Sequence, residues 1–353
     1  MPETNEQRPN KFRIWLSELR LPFTTVSIVP ILLGTAIAWG LTGIFLLDIF
    51  LLTLIGGVFI HLGANVANDY WDYQQGSDNI NVDYIRPFTG GSRIIQRELL
   101  SPRAVLAGSI VLLGIGAIIG LYLTFTRGLL VLILGGLGIF LAFFYSAPPI
   151  KFVSRGIGEI VIGICFGVFL TFGAFYTQTQ IFAWEPIILS LPIALLVSAI
   201  LYINEFADFR ADRDSGKHTL VVRLGRQGAA KLYVAILILV YLIIVLAVFF
   251  RITTWYSLLI FSTLPLSILG ARYTLKFYEQ PMAMIPANIS TIVNHLLTGI
   301  TLTLAHIFLL LSVLYTHDLV QFIVIVVGIL SFLFAAFFAR RVHKQTQALM
   351  QAS

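Results

Sequence analysis

The 353-residue chain is 58% apolar and only 11% charged, with a mean hydropathy of +0.90. Soluble domains carry roughly 25% charged residues, so this balance excludes a soluble globular protein and points to a polytopic membrane protein. The net charge of +6 is gathered in particular loops, which describes orientation in a lipid bilayer and gives no nucleic-acid surface, and the single Cys165 excludes a disulfide framework or thiolate metal site.

Residues 1–20 are polar and mixed in charge, without the apolar core and small-residue cleavage site of a removed signal. They read as a cytosolic tail. Apolar runs long enough to cross a hydrocarbon core of roughly 30 Å follow near 23–44, 49–68, 104–125, 128–146, 157–177, 185–204, 229–250, 254–271, 288–313 and 319–339. Only helices satisfy their own backbone at that depth. The fold class is therefore all-α: a polytopic transmembrane helical bundle of nine to ten helices, with the main domain over 21–313 and an extra helix plus basic tail over 314–353.

With the N-terminus inside, every Lys and Arg except Arg127 and Arg251 falls in an inner segment. The positive-inside rule then puts the N-terminus and the long polar loops on the cytoplasmic side of the cell membrane.

The second span closes on Asn68-Asp69-Tyr70-Trp71-Asp72-Tyr73, with Asp78 further on, and the sixth on Asn204-Glu205-Phe206-Ala207-Asp208-Phe209, followed by Asp212. Both read Asn-acid-aromatic-x-Asp-aromatic, which implies two pseudo-repeat halves presenting their acids to one site. On an ideal helix His61, Asn65, Asn68 and Asp72 lie within about 60° of one another, and Asn204, Asp208 and Asp212 form a second stripe. Lipid exposure of such groups is costly, so each stripe should face the bundle interior. Hard oxygen donors of this kind suit Mg²⁺, which commonly bridges carboxylates to substrate phosphates.

Basic residues share these loops: Arg86; Lys151, in Tyr145-Ser146-Ala147-Pro148-Pro149-Ile150-Lys151; and Lys217, soon after Asp212. Carboxylates with Mg²⁺ and nearby Lys or Arg suit a diphosphate and its departure as leaving group. Thr89-Gly90-Gly91-Ser92 offers further backbone N–H groups. His61, His295 and His306 lie within apolar runs and read as buried hydrogen-bonding groups. A cation-coupled transporter is the rival class. Against it, the carboxylates close their spans near the inner face, among basic residues.

These motifs resemble the UbiA superfamily of intramembrane aromatic prenyltransferases. Asn68-Asp69-x-x-Asp72 with Asp78, then Arg86-Pro87-Phe88-Thr89-Gly90-Gly91-Ser92, is most similar to its 1,4-dihydroxy-2-naphthoate branch. So are the Tyr145-to-Lys151 loop and Asp208-x-x-x-Asp212 followed by Gly216-Lys217-His218-Thr219. Leu19-Arg20-Leu21-Pro22-Phe23 resembles the family's entry to its first helix.

The resemblance implies Mg²⁺ held through Asn68, Asp72, Asp208 and Asp212 with Asp69 and Asp78 in support. It also implies substrate contacts from Arg20, Arg86, Tyr145, Lys151 and Lys217, with Asp72, Asp208 and Lys151 central to catalysis. The implied reaction transfers a polyprenyl group from its diphosphate to an aromatic acceptor. With dihydroxynaphthoate the products are diphosphate, CO₂ and a menaquinone precursor; 4-hydroxybenzoate and homogentisate are the alternative acceptors.

Overall fold

A chain this apolar satisfies its backbone within hydrocarbon by closing helical hydrogen bonds. In the computed structural model, which describes residues 10–76, 85 and 91–352, helices and their connecting turns make up the whole of the described chain. In order they are α1 (Lys11–Glu18), α2 (Thr25–Thr42), α3 (Leu47–Gln75), α4 (Pro102–Arg127) and α5 (Leu129–Phe144). There follow α6 (Gly158–Thr179), α7 (Trp184–Asp214), α8 (Leu220–Phe249), α9 (Trp255–Phe277), α10 (Ile285–Leu314) and α11 (His317–Ala352).

Among the described residues nine helices are long and apolar enough to span. The remaining expected span is α5, whose 16 residues reach about 24 Å at 1.5 Å per residue, short of a full hydrocarbon core.

α7 is the central post. Leu189, Ile193, Leu196 and Ile203 recur at helical spacing along it and are fully buried. α6 approaches it through Gly163 and Gly167, one turn apart, where a Cβ would collide with Ser198 and Ala194 of α7 respectively. Small residues at such a crossing let two backbones touch, the usual means of helix association in lipid. Gly163–Phe169 is wound as a π-helix, a wider turn that re-aims the side chains it carries. α11 lies at the periphery and buries little of its length.

Four boundaries differ from the sequence reading. The spans expected to end at 68 and 204 continue as helix to Gln75 and Asp214, so both acidic motifs lie within the last turns of long helices. Polarity rises there, but every backbone group still closes inside the helix. The expected tail contains α1, capped by Asn10 and docked through Trp15 against Gly108 of α4. α8 starts at Leu220, ahead of the expected 229, because a break at Gly225 (φ 66°) joins a short amphipathic piece to the apolar run. α9 begins as 3₁₀ helix over Trp255–Thr263 before becoming α-helical at Leu264.

Candidate active site

The ends of α3 and α7 wall a cavity of about 230 Å³. From α3 it is lined by His61, Asn65, Asn68 and Asp72, and from α7 by Asn204, Glu205, Asp208 and Asp212. The two predicted stripes therefore share one chamber. Arg20, Tyr145 and Lys217 line it as well.

Local chemistry explains how Lys217 arrives. α7 stops at Asp214, and Gly216 adopts a left-handed conformation (φ 76°) that reverses the chain. The Lys217 N–H then donates back to the Asp212 carbonyl at 2.8 Å, a glycine-based C-cap. The side chain turns inward, and Nζ meets Asp72 Oδ1 at 2.7 Å, linking two residues 145 positions apart. On its other oxygen Asp72 accepts from Asn68 Nδ2 at 3.0 Å, and Ser146 Oγ donates to Asn68 Oδ1. Thr219 caps α8 with its side chain, while Glu159 Oε1 accepts from the Leu220 N–H at 2.8 Å. Arg20 sits in a left-handed turn (φ 49°) between α1 and α2, its guanidinium 4.8 Å from the Phe23 ring.

Two predicted residues stand apart from the chamber lining. Asp69 faces away from the chamber and accepts from the Ser92 N–H at 2.9 Å, while Ser92 Oγ donates to Glu18. This network fastens the segment beginning at Gly91, itself a chamber residue, onto α1. Lys151 occupies a left-handed turn before Phe152–Arg155, half-buried and outside the chamber lining. Arg86 falls outside the described residues, as do Asp78, Thr89 and Gly90.

The chamber also holds Glu205, which the sequence reading did not place on either stripe, and it adds partners to Asn204 and His61, which that reading had placed there. Glu205 is buried, and its Oε2 has no hydrogen-bond partner among the described residues. Its signal was available: it precedes Asp212 by seven residues, two turns along the same helical face. Asn204 is oriented by Asn288 of α10, whose Nδ2 donates at 2.7 Å, a long-range link that periodicity does not disclose. His61 is a buried hydrogen-bonding group, its Nδ1 2.6 Å from Ser27 Oγ, yet it lines the chamber edge-on to Phe166.

Ala142 and Phe166 border both this chamber and a second, apolar cavity of about 130 Å³ among α3, α4, α5 and α6. Gly56, Gly57, Gly116, Gly120, Gly135, Gly138 and Gly173 line it. A polar, carboxylate-rich chamber thus adjoins an apolar cavity, a pairing complementary to an amphiphile with an anionic head and a hydrocarbon tail.

Asn68, Asp72, Asp208 and Asp212 offer oxygen donors only, the chemistry Mg²⁺ prefers. They stand on two walls, and no three His, Cys, Asp or Glu groups among the described residues make a closed cage. Such an open donor set fits an ion completed by waters and substrate phosphates.

Residues 27–284 match the UbiA prenyltransferase family. The 1,4-dihydroxy-2-naphthoate octaprenyltransferase of Escherichia coli K12 is 31% identical, over 85% of this chain and 96% of its own length. The 2-carboxy-1,4-naphthoquinone phytyltransferase of Synechocystis sp. PCC 6803 is 29% identical, over 77% of this chain and 86% of its own. The fold is similar to that of a UbiA homolog from Archaeoglobus fulgidus bound to DMAPP and Mg²⁺, with a TM-score of 0.56 at 16% identity, covering 82% of this chain and 98% of that one. The paired acidic helix ends, the membrane-spanning bundle around them and the match across most of the length lead to one conclusion: this chain belongs to the UbiA prenyltransferase family.

Proposed function

We propose that the chain transfers a polyprenyl group from polyprenyl diphosphate to 1,4-dihydroxy-2-naphthoate, releasing diphosphate and CO₂ for menaquinone synthesis, at the cytoplasmic face of the cell membrane. The observation that carries this reading is the single chamber in which both acidic stripes meet Lys217 and Arg20 at the mouth of an apolar cavity. The naphthoate acceptor is supported by the names of the relatives.

Asn68, Asp72, Asp208 and Asp212 would hold Mg²⁺, which when bound offsets the charge of the diphosphate oxygens. Lys217 and Arg20 add fixed positive charge in the same chamber, with Arg86 and Lys151 as further proposed contacts from the adjoining loops. As the bond between prenyl C1 and the diphosphate oxygen breaks, its electron pair leaves with the diphosphate. The growing negative charge meets cations that are already in place, so little reorganisation is needed.

The ring carbon bearing the carboxylate then bonds to C1. Loss of CO₂ returns the electron pair that restores aromaticity. Phe166 and Phe23 present ring surfaces to the chamber, where they can shield positive charge on the prenyl group. The tail lies in the glycine-lined cavity, whose apolar walls keep water from the cation.

Purified protein should prenylate dihydroxynaphthoate in the presence of Mg²⁺ and lose that activity in excess EDTA. Separate reactions with 4-hydroxybenzoate and homogentisate identify the acceptor by product mass. Product from either of those alone would keep the metal reading and overturn the acceptor; EDTA-resistant turnover would overturn the metal.

A further inference from the structure

Away from the chamber, and sharing no residue with it, a groove of about 960 Å³ runs between α9 and α11. Its walls are two parallel stripes of changing character. On α9 the stripe passes from Leu264 to Arg272 and Lys276, and on α11 from Phe332 to Arg340. The hydroxyl of buried Tyr273 lies 2.8 Å from His343 Nδ1, tying the two helices together at the basic end. Among the described residues no carboxylate lines the groove, whereas the Arg272, Lys276 and Arg340 side chains are exposed there.

The groove has a defined depth in the bilayer. Glu279, just past Lys276, pairs with Arg226 at 3.5 Å, and Arg226 donates to the Phe206 carbonyl within the second acidic motif. The basic end therefore stands level with the mouth of the reaction chamber, near a membrane surface. The apolar end lies deeper by about 18 Å, twelve residues at 1.5 Å each.

From this geometry we infer that the groove between α9 and α11 binds an anionic phospholipid, its phosphate against Arg272, Lys276 and Arg340 and an acyl chain along the apolar walls. Charge complementarity selects this occupant. A basic pocket between membrane helices at the surface is suited to a lipid phosphate, and the apolar slot beneath it to the attached chain. A second copy of the chain related by a two-fold axis would bring the same cations face to face. An uncharged helix would leave them unmatched. General inner-surface charge does not account for the arrangement either, because Arg341 and Lys344 on the same helix lie outside the groove.

Retention of added lipid by the full-length protein in neutral detergent, read by native mass spectrometry, tests the site. Phosphatidylglycerol should be retained in preference to phosphatidylcholine. Arg272→Gln with Arg340→Gln should lower that retention by about fivefold for each charge removed. Arg341→Gln with Lys344→Gln should leave it unchanged. Ala336→Phe, which fills the apolar wall and keeps every cation, should also lower it, so the outcome does not hang on one variant. Inorganic phosphate should not displace the lipid, since it lacks the chain.

Equal retention of the two lipids would overturn the inference, as would equal loss in both double variants. Full displacement by phosphate would reduce the site to an anion site. A dimer cross-linked through Cys at position 336 in place of Ala would give the groove to a second copy.

Discussion

Asp72→Ala and Asp208→Ala should each lower turnover by about 10²–10³-fold, the size expected when one preorganised electrostatic group is removed. Asp72 is held from two sides, by Asn68 Nδ2 at 3.0 Å and Lys217 Nζ at 2.7 Å. Its carboxylate thus has a fixed position before substrate arrives. Truncation also leaves the buried Lys217 ammonium without this carboxylate, which itself destabilises. Asp72→Asn separates the two effects, since it keeps the shape and removes the charge. For this variant we expect a near-native thermal transition and a higher Mg²⁺ requirement. Rates near wild type at ordinary Mg²⁺ in the folded variants would remove these carboxylates from the metal site.

The second large effect is expected at Lys217. Lys217→Met should lower kcat by about 10²-fold while leaving the KM for the aromatic acceptor nearly unchanged, since on the proposed reading the lost charge would act on the departing diphosphate. Lys217→Arg should recover little: the guanidinium is a planar fork and cannot stand where a compact ammonium sits 2.7 Å from one oxygen. The Asp72–Lys217 pair keeps both charges compensated in a largely buried place. On the proposed reading, a bound diphosphate would take up the ammonium and free the carboxylate for Mg²⁺, so the two ligands should bind synergistically. Equal Mg²⁺ affinity with and without a non-reactive diphosphate analogue would count against that exchange, and an unaltered kcat in Lys217→Met would leave the lysine a purely structural partner.

What the sequence disclosed of this site follows from helix geometry. Asn68, Asp72, Asp208 and Asp212 were legible because helical spacing puts each pair on one face, and hydrocarbon leaves that face only one direction to point. Asp69 shares the motif but not the face: it lies about 100° round the helix from Asn68, and it serves the contact with Ser92 instead. Lys217 could be suspected from its neighbours, yet its inward turn depends on the left-handed Gly216. Lys151 lies in an irregular loop, where periodicity assigns no direction. The Ser92–Glu18 and Asn288–Asn204 bonds join residues 74 and 84 positions apart, and no local pattern encodes such a pairing. The bundle itself was readable at the level of spans, because hydropathy reports the hydrocarbon thickness; the helix ends at Gln75 and Asp214 were not, because polarity rises before the helix stops.

On the proposed reading, the glycine lining of the apolar cavity would act as a gauge whose stop moves as side chains are added there. Cβ atoms built on Gly120, Gly135 and Gly138 meet nothing within 4 Å, so larger residues there subtract length from the slot without forcing its helices apart. With a ladder of donors differing by one isoprene unit, Gly138→Phe should move the preferred donor toward shorter chains and spare turnover of the shortest. An unchanged preference would place the tail elsewhere. On the proposed reading, product length would then be a property of a few missing side chains in α4 and α5, separable from the charged residues of the chamber, and a lineage could retune the tail while leaving the carboxylates untouched.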